Sequence, residues 1–325
     1  MRAIVWTAYG PPEGLHLEEA PKPVPRAGEL LIRVRAVGVA AGDCELRGLR
    51  FGIGMRILVR LLMGPVRPRR RVLGQEFAGE VEAVGGAGSR FRVGDAVYGT
   101  TGFGFGAYAE YLRVREGSRD GAVAIKPGNM TFEEAATLPT GGLEALHFLR
   151  QAGPLDGRKV LINGAGGGIG TLAVQVAKAL GAQVTGVDTK RKLGLVYQLG
   201  AERAIDYAEE DFAQFPGTYD VILDVVGRAP VSACLRALRR GGVYLNANPR
   251  PAAMVRAAWP AGRGSARIVV RGSAPRPEEL DYLRTLVEAG KIRSPIDRVY
   301  RLEELPEAHR YVDSGQAIGR VVISV

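Results

Sequence analysis

The chain has 325 residues, 46% of them hydrophobic, with 45 glycines, 19 prolines and a formal net charge of +10. That length and apolar content are enough for two domains with sizeable cores. The glycines and prolines follow neither a collagen-like nor a low-complexity period, and no internal repeat is visible. The charge excess is compatible with an anionic cofactor, a membrane surface or nucleic acid, but nucleic acid is not expected as the main partner. The opening "MRAIVWTAYGPPEG" lacks a basic segment followed by an apolar run of signal-peptide length. No stretch approaches the roughly 20 apolar residues that cross a bilayer. Cys44 and Cys234 supply neither a disulfide framework nor a four-cysteine zinc lobe. The expectation is a reduced, cytoplasmic protein.

In chain order, residues 1 to about 120 read as β-rich. "ELLIRVRAVGV" (29–39) alternates apolar and polar residues as a half-buried strand does. Then comes "RFGIGMRILVRLLMGPVRPRRR" (50–71), in which Arg56 and Arg60 stand at i,i+4 on one face of a short helix. One reading of this segment is a lid helix followed by a solvated basic loop. The other is a weak membrane-surface contact. "LGQEFAGEVEAVG" (73–85) reads as strand, turn, strand, and "GAYAEYLRV" (106–114) as another alternating strand. Close strand spacing with Gly/Pro turns indicates a small barrel-like unit.

The pattern changes near residue 124. Thr131 and Glu134 have capping-box spacing, and a second helix is expected over 141–153. "KVLINGAGGGIGTLAVQVAKALGAQVTGVD" (159–188) then gives strand, glycine turn, helix, strand. Further short apolar strands alternate with helices, which argues for an α/β region with a parallel sheet covered on both faces. The predicted domains are 1–123, 124–264, and a third segment, 265–325, that leaves one edge strand to the sheet and completes the first domain.

The glycine turn is the most informative segment. Gly164, Gly166 and Gly170 have one residue more than G-x-G-x-x-G, whereas Ala165, Gly167 and Gly170 fit A-x-G-x-x-G. On either spacing, small residues allow a sharp turn, close approach of a pyrophosphate and tight helix–strand packing. The helix N-terminus offers free N–H groups and a partial positive charge to phosphate. Asn163, Ala165, Gly166, Gly167, Gly168, Ile169 and Gly170 are therefore candidate cofactor contacts. Asp188 lies 21 residues beyond Gly167, where an acid binds the ribose hydroxyls of NAD. Lys190, Arg191 and Lys192 follow at once and could hold the 2′-phosphate of NADP instead, or simply form a solvated helix start. NADP(H) and NAD(H) both remain open on the residues alone.

With these segments in place, the chain resembles the medium-chain dehydrogenase/reductase superfamily, and within it the zinc-independent quinone oxidoreductase-like branch. The markers are "RAGELLIRVRAVGVAAGDCELRG", "LGQEFAGEVEAVG", "RFRVGDAVYG", "IKPGNMTFEEAATLPTGGLEAL", "NGAGGGIGTLAVQVAKALGA" and "LGAERAIDY", in family order over essentially the whole chain. The resemblance implies a GroES-like β-rich catalytic domain interrupted by a Rossmann doubly wound parallel-sheet domain, with a cofactor and substrate cleft between them. It also implies the homodimer common in the family.

Zinc-dependent relatives carry metal ligands at three positions that read here Ala40, Gln75 and Thr140, none of them a good zinc ligand. No zinc is expected. Many quinone oxidoreductase-like relatives have Asn where Ala40 stands and Thr where Glu144 stands, and these departures bear on substrate orientation and charge preference. Without a metal to polarise an alcohol, the expected chemistry is hydride transfer from NAD(P)H to an activated acceptor, a quinone or an α,β-unsaturated carbonyl compound. Motif position makes Asp43, Gln75 and Tyr108 candidate catalytic residues. Asp43 reads equally as a structural acceptor, and Tyr108 also as a core aromatic. By motif position Thr140 joins the cofactor contacts. Val226, Gly227 and Asn246 follow strands whose ends face the cofactor in this fold, and Tyr207 approaches the adenosine end. His16, His147 and His309 are scattered and expected at the surface or as satisfied structural residues. The alternatives are an enoyl-thioester reductase and a non-catalytic dinucleotide-sensing or RNA-binding protein.

Overall fold

A computed structural model describes residues 1–249, 254, 266–270, 272 and 274–325. They form two compact units. One is Met1–Thr140 with Ala274–Glu288 and Ser294–Val325; the other is Gly141–Ser273 with Ala289–Arg293. The α/β class read from the sequence is what the structure has. The boundaries differ in place from those predicted: residues 124–140 pack with the first unit, and the chain returns to that unit at 274. Part of the predicted third segment, and of the stretch before it, lies outside the described residues.

In the first unit the strand Glu29–Val39 is central. It pairs antiparallel with Glu76–Gly85, Tyr111–Arg115 and Arg320–Ser324. Ile296–Arg301 runs parallel outside the last of these. The C-terminal strands thus complete the sheet that the N-terminal ones begin, with Val321 opposite Val39. Ile32, Val34, Phe77, Val97 and Val321 lie in its core. Each such side chain contributes roughly 1.5–3 kcal/mol by leaving water.

Two local expectations are corrected. Residues 76–85 form one continuous strand, not strand–turn–strand. Gly79 is there for close approach, since a Cβ on it would overlap the carbonyl oxygen of Arg33 across the ladder. The strand expected over 106–114 begins only at Tyr111. Before it, Gly106 N–H and Tyr108 N–H both donate to Leu73 O, an irregular pairing that alternation does not encode. The Thr131–Glu134 capping box is present, with Glu134 N–H on Thr131 Oγ1 at 3.2 Å and Thr131 N–H on Glu134 Oε2 at 2.9 Å.

The second unit holds a parallel sheet in the order Arg203–Asp206, Gln183–Asp188, Lys159–Asn163, Tyr219–Asp224, Leu238–Asn246, Arg267–Val269. The chain starts in the middle, builds outward in one direction and then in the other. The reversal falls between Lys159–Asn163 and Tyr219–Asp224, and the loops leaving those two strands diverge there to leave a crevice. The predicted helix after the glycine turn spans Gly168–Ala179, and another spans Pro139–Gln151. Among the described residues no helix is long and apolar enough to cross a membrane.

Candidate active site

The glycine turn sits at the carboxyl end of Lys159–Asn163, at the reversal point. Gly164 has φ +88°. Gly167 N–H donates to Gly164 O at 3.2 Å, and both Gly164 N–H and Ala165 N–H donate to Val187 O on the neighbouring strand. Gly170 is required sterically, because a Cβ there would overlap Gly164 O. Helix Gly168–Ala179 starts with no side-chain cap. Its first N–H groups, at Gly168, Ile169 and Gly170, have no intrahelical acceptor, which is the arrangement that receives an anion.

Asp188 ends the next strand and is turned toward the protein. Its Oδ2 accepts from Gly166 N–H and its Oδ1 from Thr189 N–H, each at 2.8 Å. Lys192 Nζ stands 3.9 Å from Oδ1. The carboxylate therefore pins the glycine turn to the strand that follows it. Lys190 pairs with Glu209 at 2.9 Å, and Arg191 is exposed on the same helix start. Tyr207 is exposed, with its N–H on Asp188 O at 3.3 Å.

The sequence reading did not single out Asp224, which organises the other side of the crevice. It accepts from Asn163 Nδ2, from Gly227 N–H and from Tyr244 O–H, all at 2.9 Å. Asn246 donates in turn to Tyr244 Oη at 2.9 Å and accepts from Asn248 N–H at 3.0 Å. Asn246 is thus buried and committed to the protein, whereas Val226 is 43% exposed beside Gly227. A carboxylate closing an apolar strand just before a glycine loop was the available signal in "YDVILDVVG".

In the first unit, the three positions of interest converge around Glu76. Thr140 N–H donates to Glu76 Oε1 at 2.9 Å, and the Arg320 guanidinium pairs with Oε2. Glu76 is fully buried and Arg320 nearly so. Ala40, which caps helix Ala41–Gly48, offers no donor atom. The Gln75 carboxamide makes no hydrogen bond among the described residues, though its carbonyl oxygen accepts from Thr101 N–H at 2.8 Å. Thr140 Oγ1 is buried without a partner. A methyl, a carboxamide and a hydroxyl are not a zinc donor set, and the nearby carboxylate is committed to Arg320. No group of three His, Cys, Asp or Glu able to hold a metal occurs among the described residues.

Asp43 and Tyr108 need correction as cleft residues: both are fully buried and present nothing to a ligand. They belong to an interior network that strand periodicity could not reveal. Tyr108 O–H donates to Asp43 Oδ2 at 3.1 Å, and His309 Nε2 lies 3.3 Å from Tyr108 Oη. Arg47 Nε donates to His309 Nδ1 at 3.2 Å and the same guanidinium pairs with Asp313. Asp43 Oδ1 has no hydrogen-bond partner. Burial pushes the Asp43 carboxyl up to about 7, against the opposing hydrogen bond from Tyr108. Burial, with Arg47 next, holds His309 down at about 3, so its imidazole is neutral.

The alcohol dehydrogenase GroES-like domain model matches residues 26–126, and the zinc-binding dehydrogenase model matches residues 199–323. The second match contains none of Ala40, Gln75 and Thr140. Among curated relatives, a 2-methylene-furan-3-one reductase of Solanum lycopersicum is 31% identical over 99% of this chain and 79% of its own. A quinone oxidoreductase of Pseudomonas aeruginosa is 32% identical over 99% of both chains. The solved structure of the quinone oxidoreductase from Coxiella burnetii superposes with a TM-score of 0.87 at 32% identity, covering 100% of this chain and 99% of that one. The chain belongs to the medium-chain dehydrogenase/reductase superfamily, in its quinone oxidoreductase-like branch. It is an oxidoreductase, and its family binds a pyridine nucleotide.

Proposed function

We propose that this enzyme reduces quinones or α,β-unsaturated carbonyl compounds with NADPH, by hydride transfer and without zinc. The observation that carries the reading is the side chains at Ala40, Gln75 and Thr140, in a chain similar over its whole length to a quinone oxidoreductase and to an enone-type reductase. The nicotinamide supplies the hydride. The chain's part is to bind and orient. The first N–H groups of Gly168–Ala179 would receive the pyrophosphate, and Gly167, with almost nothing where a Cβ would stand, would let it approach. Asp224 holds Asn163 and Gly227 in place, so the crevice is preformed and little ordering entropy is lost on binding. The Gln75 carboxamide is an uncommitted donor, suited to an acceptor oxygen as negative charge develops there.

The orientation of Asp188 supports NADPH over NADH. Both carboxylate oxygens already serve the backbone, Lys192 Nζ stands 3.9 Å from Oδ1, and Arg191 is exposed on the same helix start. Arg191→Ala/Lys192→Ala is expected to lower kcat/KM for NADPH by about 10-fold or more, the weight of charge-assisted phosphate contacts, and to leave NADH within a few-fold. A loss equal for both coenzymes would mean the cations do not read the 2′-phosphate.

The function is tested by assaying metal-free protein with NADPH and NADH against quinones, enones and acyl-CoA thioesters. Turnover of quinones or enones without added metal is expected. Turnover confined to acyl-CoA thioesters, robust zinc-dependent alcohol oxidation, or nucleotide binding with no turnover would each overturn it. We also infer a cytoplasmic homodimer. Strand Arg267–Val269 ends the parallel sheet and has one edge unpaired among the described residues, which suits pairing with a second copy. A light-scattering mass near 34.7 kDa, one chain, would overturn the dimer.

A further inference from the structure

The helix Ile53–Met63 is mounted with its apolar side outward. Its polar side holds it to the first unit. Arg56 Nε donates to Leu49 O at 2.9 Å, and the Arg60 guanidinium lies over the Tyr9 ring at 5.7 Å. Tyr9 O–H donates to Gly64 O at 2.8 Å where the helix ends, and Met63 packs against the core. Next to the arginine row, Ile53, Ile57 and Leu61 form a second i,i+4 row, with Leu58 and Leu62 farther round the helix. These five are 47–77% exposed. Phe103, 73% exposed, is a further apolar side chain on a loop tied to the basic segment by Arg70 Nη1, which donates to Gly104 O at 2.7 Å. An amphipathic helix in water normally turns this side inward.

The charge carried by this segment of the chain has one sign. From Leu46 to Gln75 the chain has arginine at 47, 50, 56, 60, 67, 69, 70 and 71, and no Asp or Glu. Arg47 and Arg50 pair with Asp313, and Arg71 with Glu18. Arg67, Arg69 and Arg70 make no ion pair among the described residues. A second copy placed over the patch by a two-fold axis would bring these same cations together. An anionic lipid surface would neutralise them and accept the apolar ridge. Eleven residues of helix, about 16 Å long, cannot span a bilayer and fit the headgroup–acyl boundary in its plane.

We propose that the exposed face of Ile53–Met63, with Arg67, Arg69 and Arg70, docks this enzyme on an anionic membrane surface. The apolar side chains enter the acyl boundary and the arginines meet lipid phosphates. Such docking would let lipophilic acceptors be taken from the bilayer. It does not depend on which acceptor the enzyme reduces.

The full chain, with NADPH present, is sedimented with extruded vesicles of phosphatidylcholine alone or of phosphatidylcholine and phosphatidylglycerol in equal parts. Binding is expected to the anionic vesicles only and to fall as salt is raised. R67Q/R69Q/R70Q should reduce the partition coefficient by roughly 100-fold, about a factor of five per surface cation. Leu61→Asp should reduce it at least tenfold with every arginine intact. Both variants change exposed side chains and should keep the far-ultraviolet circular dichroism and the reduction of a water-soluble quinone. Failure to bind anionic vesicles at low salt overturns the proposal. So does equal binding to neutral vesicles, or unchanged binding of Leu61→Asp, which would mean charge attraction without insertion. If instead Leu61→Asp halves the light-scattering mass and no vesicle binding occurs, the occupant of the face is a second copy.

Discussion

Arg320→Met is expected to destabilise the enzyme by about 3–5 kcal/mol, the cost of stripping one partner from a buried ion pair. Glu76 is fully buried, and Arg320 is 6% exposed. Gly38 leaves no room beside the carboxylate, because a Cβ there would crowd both Glu76 Oε2 and the carbonyl oxygen of Ala136. Losing the guanidinium therefore takes the paired cation from a carboxylate that water cannot readily reach. The double variant Glu76→Gln/Arg320→Met should recover most of the loss. A carboxamide oxygen still accepts the Thr140 N–H, and no charge is left buried. Urea unfolding of the wild type and the two variants checks this. A single-variant loss below about 1 kcal/mol would mean the pair is hydrated and weak, as exposed pairs are.

The second large effect is hidden in the wild type. Asp43 titrates near 7 in the folded protein against a reference of 3.8, and His309 near 3 against 6.5. Between about pH 4 and 6.5 the folded state holds a proton on Asp43 and none on His309. The unfolded state holds one on the histidine and none on the aspartate. Proton counts match, so the two groups together add almost no slope to stability in that window. Removing either should expose the other. Asp43→Asn leaves a histidine that only the unfolded chain protonates, so stability falls as pH falls, by about 1.4 kcal/mol per pH unit. His309→Asn leaves a carboxyl that only the folded chain protonates, so stability falls as pH rises, with the same slope. Over this window each variant should move by roughly 3 kcal/mol in its own direction. Denaturation series at several pH values distinguish the two, and parallel curves for both variants would show that the network does not hold these protonation states.

These two centres mark the limit of what the linear sequence could reveal. The turn "NGAGGGIG" after an apolar strand declared its conformation locally. Small residues, a strand before and a helix after are enough to build an anion cradle, and the structure places all of them at the sheet's reversal point. The Thr131 capping box was equally local. Asp188 was legible as a strand-end carboxylate, but not its direction, because that depends on which N–H groups the folded turn points at it.

Arg320 and Glu76, and His309 and Tyr108, lie 244 and 201 residues apart. No spacing rule reaches that far. Asp43 and Tyr108 were placed at a cleft because polar residues in a motif read as accessible, yet polar side chains linked to one another can be buried together. The turn expected within 73–85 failed for a similar reason: a glycine such as Gly79 that makes room for a neighbouring backbone is indistinguishable in sequence from one that bends its own. The sequence by itself determined the alternation of strands and helices around the glycine turn, that turn itself and the absence of ligand-type side chains at positions 40, 75 and 140, since all of these depend on residue identity and short-range geometry. Tertiary structure alone decided which charges were buried in pairs, which carboxyl kept its proton, and which side of the basic helix faced outward. Those outcomes depend on what distant segments bring into contact and on how much water they exclude.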